Sequence, residues 1–130
     1  MAKKRLQGEE LLLDSIIKGI FEKSGTHVVK LDMRGFDNRV CDYFFICHGN
    51  SRTQVDSISY SVVDTVRKNA GEKPLHLEGL ENCYWVLIDY GSVIVHVFQE
   101  EYRNFYNLEG LWADSNREVI EDTPLKTARK

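Results

Sequence analysis

The sequence predicts an α+β domain built on a mixed β-sheet flanked by helices. Three observations carry that expectation. Apolar residues recur at helical spacing in two long segments, residues 7–24 and 51–71. Between and after them, short stretches either alternate apolar with polar residues or run apolar without a break, the two signatures of strands. The resulting order is helix, strand, strand, helix, three strands, helix, which fits neither a regular βα alternation nor an all-α or all-β chain.

The first helix spans about Gln7 to Ser24, with Leu13, Ile16, Ile17, Ile20 and Phe21 on one face. Gly25 is the expected stop, since glycine takes the left-handed conformation without strain. Val29, Leu31 and Met33 alternate with Lys30, Asp32 and Arg34, a half-buried strand. Gly35-Phe36-Asp37-Asn38 turns the chain. Tyr43 to Cys47 is continuously apolar, as in a strand covered on both faces at the centre of a sheet. Ser51 with Gln54 has the spacing of a capping box, and Val55, Ile58, Val62 and Val66 make the stripe of the helix it opens, ending near Gly71. A short strand follows at Leu75 to Glu78, then a loop to Cys83. Trp85 to Tyr90 and Val93 to Phe98 flank Gly91-Ser92, a two-residue loop suited to a type II′ hairpin. The step from Tyr43 through the second helix to Glu78 suits a parallel crossover of right-handed sense. The last helix starts near Gln99 and carries Tyr102, Phe105 and Tyr106 on one side.

With 130 residues, 42% hydrophobic and 28% charged, the chain suits one globular domain and excludes fibrous or largely disordered classes. Residues 1–112 read as the folded unit. Residues 113–130, with few large apolar side chains, read as a charged, flexible tail able to form a helical stretch on docking. No apolar run is long enough to span a membrane. The basic start Met1-Ala2-Lys3-Lys4-Arg5 lacks the apolar stretch of a secretory signal, and Glu9 and Glu10 argue against an organellar transit peptide. Cys41, Cys47 and Cys83 are odd in number and form no CxxC, so neither a disulfide framework nor a zinc knuckle is expected, and the chain reads as reduced and cytoplasmic.

Candidate chemistry is sparse. Gly49-Asn50-Ser51, between a buried strand and a helix start, is where free amides could hold a phosphate, and a nucleotide-binding or nucleotidyl-transferring protein is the alternative reading. That chemistry needs paired carboxylates for metal ions, yet Asp56 is the next acid and no Asp-x-Asp lies on a predicted strand. His27, His48, His76 and His96 have no metal-ligating spacing, and adjacent Cys47 and His48 point to opposite faces of their strand. No metal or cofactor is expected. Direct RNA binding through the N-terminus with Arg52, Arg67 and Lys68 is a third possibility, but a net charge of −3 gives it little support, and no direct nucleic-acid site is expected.

The distribution of charge is more informative. From Pro74 to Tyr102 there is no lysine or arginine, while Glu78, Glu81, Asp89, Glu100 and Glu101 lie there with Tyr84, Trp85, Tyr90 and Phe98. An acidic surface with aromatic anchors repels phosphate backbones and suits a basic protein. Leu108, Leu111 and Trp112 then follow the last helix.

The stretch Asp42 to Arg52, Glu78-Gly79, Trp85 to Gly91, Val93 to Phe98, and Arg103, Tyr106, Leu108, Glu109, Leu111 and Trp112 together resemble the ribosomal silencing factor, or Iojap-like, family over residues 8–112. The resemblance implies a nucleotidyltransferase-like fold without catalytic carboxylates. It implies a non-catalytic translational repressor that binds the L-fourteen protein of the large ribosomal subunit and blocks joining with the small one. It further implies a homodimer when free, and, for organellar members, a part in large-subunit maturation. The interface tryptophan of the family maps onto Trp85. The expected partner-binding set is Trp85, Asp89, Glu78 and His96, extended by Tyr106, Leu111 and Trp112. His48 and Asn50 stand where threonines are common in the family, and the segment after Trp112 is longer than in its short members.

Overall fold

The computed structural model describes residues 2–122, with the backbone alone for residues 2–7. Helix α1 (Ala2–Glu22) leads into β1 (Thr26–Asp32) and β2 (Tyr43–Gly49). Helix α2 (Arg52–Ala70) follows, then β3 (His76–Glu78), β4 (Trp85–Asp89) and β5 (Val93–Gln99). Two short helices, α3 (Glu100–Tyr106) and α4 (Leu108–Leu111), precede β6 (Asn116–Ile120). The predicted α+β class with a mixed sheet is what the chain adopts.

The six strands form one sheet in the order β3-β4-β5-β2-β1-β6. Every residue of β2 is buried, as its unbroken apolar run requires of a central strand. Its parallel neighbour is β5, from Tyr43↔Val93 to Gly49↔Gln99, and the other neighbouring pairs are antiparallel. The strand reached through α2 does run parallel to β2, but β4 and β5 lie between them, so the crossover skips two positions.

Alternation along the strands sorts side chains into two layers. One face carries Val28, Phe45, Cys47, Val86, Ile88, Val93, Val95 and Val97, packed under Leu12, Ile16 and Ile20 of α1 and Val55, Ile58, Val62 and Val66 of α2. The helices meet closely where Ser61 donates to the Gly19 carbonyl at 2.7 Å, because a side chain at Gly19 would run into the backbone of Val62. The opposite face carries Val29, Leu31, Met33, Phe44, Ile46 and Phe98. α3, α4 and the loop 33–42 cover it only in part.

Local chemistry explains the element ends. Ser51 accepts from the Gln54 amide (3.1 Å), the cap that the spacing predicts, while Gln54 Oε1 reaches back one residue past the cap and accepts from the Asn50 amide (2.7 Å). Gly91 takes φ 89 while Ser92 stays at negative φ, and Tyr90 N donates to Val93 O at 2.8 Å, consistent with a type II′ hairpin. Two expectations are corrected. At the end of α1, the left-handed residue is Ser24 (φ 61), not Gly25; Gly25 donates to Ile20 O, and its missing side chain leaves room for the Ile20 side chain. The segment expected to be a tail contributes strand β6, antiparallel to β1 from Val28↔Ile120 to Asp32↔Asn116. Four of its five residues are exposed and only Ile120 reaches the helix-side core, so no alternation marks it in the sequence. Residues 123–130, the end of the expected tail, lie outside the described residues.

Candidate functional site

The partly covered face of the sheet gathers most of the expected site. Glu78 pairs with Leu87 and Leu87 with His96, while Trp85 pairs with Phe98 and Asp89 with Ile94. Paired residues project to the same side, so Glu78, Trp85, Asp89 and His96 share one face across β3, β4 and β5.

Trp85 is its centre. The half-buried ring stacks on Phe98 at 5.0 Å and lies 4.8 Å from Tyr106 of α3. Its Nε1–H donates to His96 Nδ1 at 3.0 Å. An indole nitrogen only donates, so Nδ1 is the acceptor and the proton of the neutral ring sits on Nε2. That Nε2 is buried with no protein partner among the described residues. Burial holds the His96 pKa down to about 3, so the ring is neutral at physiological pH. Expected as a contact residue, His96 is only 4% exposed: it sits beneath Trp85 and orients it rather than presenting itself to solvent.

The other expected residues divide. Tyr106 is 49% exposed and joins Trp85 directly. Trp112 packs edge-on to Phe36 (5.3 Å) and Phe44 (6.1 Å), and Phe44 reaches His96 at 4.8 Å, so Trp112 connects to the centre through one ring. Glu78 is exposed beside this face. Leu111 is 72% exposed and points away from the core that Leu108 and Trp112 join. Asp89 Oδ1 accepts from Gly91 N at 2.7 Å, a bond that shapes the hairpin and occupies one of its oxygens.

Two features escaped sequence reasoning. Phe105, read only as part of a helix face, is 78% exposed with its ring edge-on to Tyr106 at 5.2 Å. Arg103, 7% exposed, clasps the α3–α4 arm to the sheet. It grips both Glu109 oxygens (2.9 and 3.0 Å), and its Nη1 donates to the His27 carbonyl (2.7 Å) and His48 Nδ1 (2.9 Å). Burial first, and the guanidinium next, depress the His48 pKa; the Arg103 bonds hold the Glu109 carboxyl below its ordinary range. An arginine followed six residues later by a glutamate has no helical spacing, because Asn107 at φ 48 breaks the chain between α3 and α4.

Several residues of the alternative readings have partners within the chain, while the side chains of the basic N-terminal start, residues 1–7, lie outside the described residues. At Gly49-Asn50-Ser51 the Asn50 amide is bonded to Gln54, and the neighbouring concavity is lined by Glu100 and Glu101, which repel phosphate. Arg67 and Lys68 pair with Asp64, and Arg52 donates to the Glu81 carbonyl. Among the described residues no group of three or more His, Cys, Asp or Glu side chains could hold a metal ion. Among the described residues no helix is long and apolar enough to cross a membrane.

An aromatic, acid-rimmed sheet face with a positioned tryptophan describes a binding domain rather than a reaction centre. Comparison with known proteins specifies which. Residues 7–130 match the family described as ribosomal silencing factor during starvation. The chain is 42% identical over 104 residues to ribosomal silencing factor RsfS of Halalkalibacterium halodurans, spanning 80% of this chain and 87% of that protein. It is 44% identical over 94 residues to its Bacillus subtilis counterpart, spanning 72% and 78%. A crystal structure from Bacillus halodurans superposes with a TM-score of 0.72 at 38% identity, covering 84% of this chain and 97% of that one. The chain belongs to the ribosomal silencing factor family, non-enzymatic regulators of translation.

Proposed function

We propose that this protein represses translation in the cytoplasm by binding the large ribosomal subunit at its L-fourteen protein and blocking its joining to the small subunit. The observation that carries the reading is Trp85, held by Phe98, Tyr106 and His96 on a face whose segment, residues 74–102, has five acids and no lysine or arginine. Such a face complements a basic ribosomal protein, and rigid aromatic anchors concentrate binding energy. Exclusion by occupancy needs no bond made or broken; a standard interface of about 800 Å² per partner is enough. A mouse relative, 30% identical over 76 residues, is named for mitochondrial assembly of the large ribosomal subunit, which supports the same subunit as the target.

Trp85, Tyr106, Trp112 and Glu78 form the contact set in this reading, with exposed Phe105 and Leu111 extending it. His96 and Asp89 keep their geometry. The frame is read as nucleotidyltransferase-like with its catalytic carboxylates missing, and the free protein as a homodimer. The test is gradient sedimentation of purified subunits with added protein. Saturating wild type is expected to suppress the joined particle, and folded Trp85→Ala to bind the large subunit more weakly by about 2 kcal/mol. Normal joining at saturation would refute the reading.

A further inference from the structure

The sheet ends at β3, an edge with no neighbouring strand among the described residues; His76, Leu77 and Glu78 are all exposed. Natural edges are guarded by short strands, charged side chains, proline or a bulge. β3 is three residues long, follows Lys73-Pro74 and carries Glu78, so its edge is short and acidic, whereas the opposite edge, β6, carries Arg117 paired with Glu109 and Glu118 paired with Lys30. On the helix side, Leu77 lines an apolar groove of about 190 Å³ with Ser59, Tyr60, Val63 and Leu80. Tyr60 is 71% exposed and Leu75, just before the strand, 67%. A strand added beside β3 would place the residue opposite Leu77 over this groove, and that residue's two neighbours on the Glu78 side. The Glu78 side continues through Leu87 to His96, so an added strand would prolong the aromatic face. Glu78 is exposed there, in the segment without lysine or arginine.

We infer that the β3 edge accepts an extended segment of the protein partner by strand addition. An apolar side chain of that segment seats in the Tyr60–Leu77–Leu80 groove, and a lysine or arginine on either side of it faces Glu78. Main-chain hydrogen bonds supply affinity in this mode and the groove supplies selection. The inference rests on the reading that this protein docks on the large ribosomal subunit, and it is tested separately from it.

The experiment uses purified large subunits with the full chain, its Leu77→Lys and Tyr60→Ala variants, and Trp85→Ala as reference, with folding checked by circular dichroism. Leu77→Lys is expected to lower affinity about tenfold, the scale of one or two lost contacts. The amides of residues 76–78 are expected to exchange more slowly in the wild-type complex. If Leu77→Lys binds like wild type and those amides exchange unchanged while Trp85→Ala loses affinity, strand addition is overturned and the docking reading stands. If the amides become protected by concentrating the free protein alone, the edge pairs with a second copy and the inference is likewise overturned. Failure of the wild type to bind large subunits would sink the docking reading itself.

Discussion

The two faces of the sheet are built from the same strands but differ in chemistry. β5 supplies Val93, Val95 and Val97 to the helix-covered side and Ile94, His96 and Phe98 to the other. The first side is packed with branched aliphatic residues under two long helices. The second is aromatic, includes polar rings, and is covered by an arm whose only buried residue is Arg103. Alternation thus lets one strand serve stability with one set of residues and recognition with the other. The contrast predicts that damage to the first face unfolds the protein, while damage to the exposed rings of the second changes what it binds.

The largest expected effect is on the aliphatic side. Ile16 is fully buried, and Ile16→Ala is expected to destabilise by about 4 kcal/mol, the cost of an unfilled core cavity. Urea unfolding measures it; affinity of the remaining folded protein for large subunits should not change. Arg103→Ala tests the arm. Leaving the His27 carbonyl and His48 Nδ1 without their donor, and Glu109 with Arg117 alone, is expected to cost about 3 kcal/mol, and the Tyr106 resonances should broaden as the arm detaches. A variant that loses stability while Tyr106 stays against Trp85 would show that other contacts hold the arm.

A smaller effect separates the faces by pH. His48 and His96 both lie on the aromatic side and both have folded pKa values below 6.5, so the unfolded chain binds protons that the folded chain refuses. Stability is therefore complete above about pH 6.5 and falls as pH drops toward the folded values, near 3 for His96. Between pH 7 and 5 the loss from His96 is about 2 kcal/mol. Asp32, Asp64 and Glu109, whose pKa values are lowered, lose their contributions only at more acidic pH, which leaves this window to the histidines. His96→Gln should flatten the slope of urea midpoint against pH. An unchanged slope would mean that His96 titrates normally.

Much of this was legible in the sequence because the strongest signals are periodic. The apolar run 43–47, the α2 stripe and the Ser51–Gln54 spacing each fix an element by local physics. Non-local decisions were not legible. Nothing within Asn116–Ile120 marks a strand; the free edge of β1 recruits it. Nothing near Tyr43 names β5 as its neighbour. At the candidate site, the aromatic and acidic make-up of residues 74–102 was readable from residue type, while the choice of Trp85 came from the family resemblance. The burial of His96, the hairpin bond of Asp89 and the grip of Arg103 depend on elements folding back from elsewhere in the chain.

The central parallel pairing of β2 with β5 also has a consequence for synthesis. Tyr43 must wait for Val93, and Val28 for Ile120, before their rows are complete. A nascent chain that has released only α1, β1, β2 and α2 holds its most apolar strand with one flank unsatisfied, a sticky half-product at the exit of the machine that makes it. Cooperative closure is thus deferred until the final segments emerge, and premature truncation should yield aggregates rather than a smaller working form.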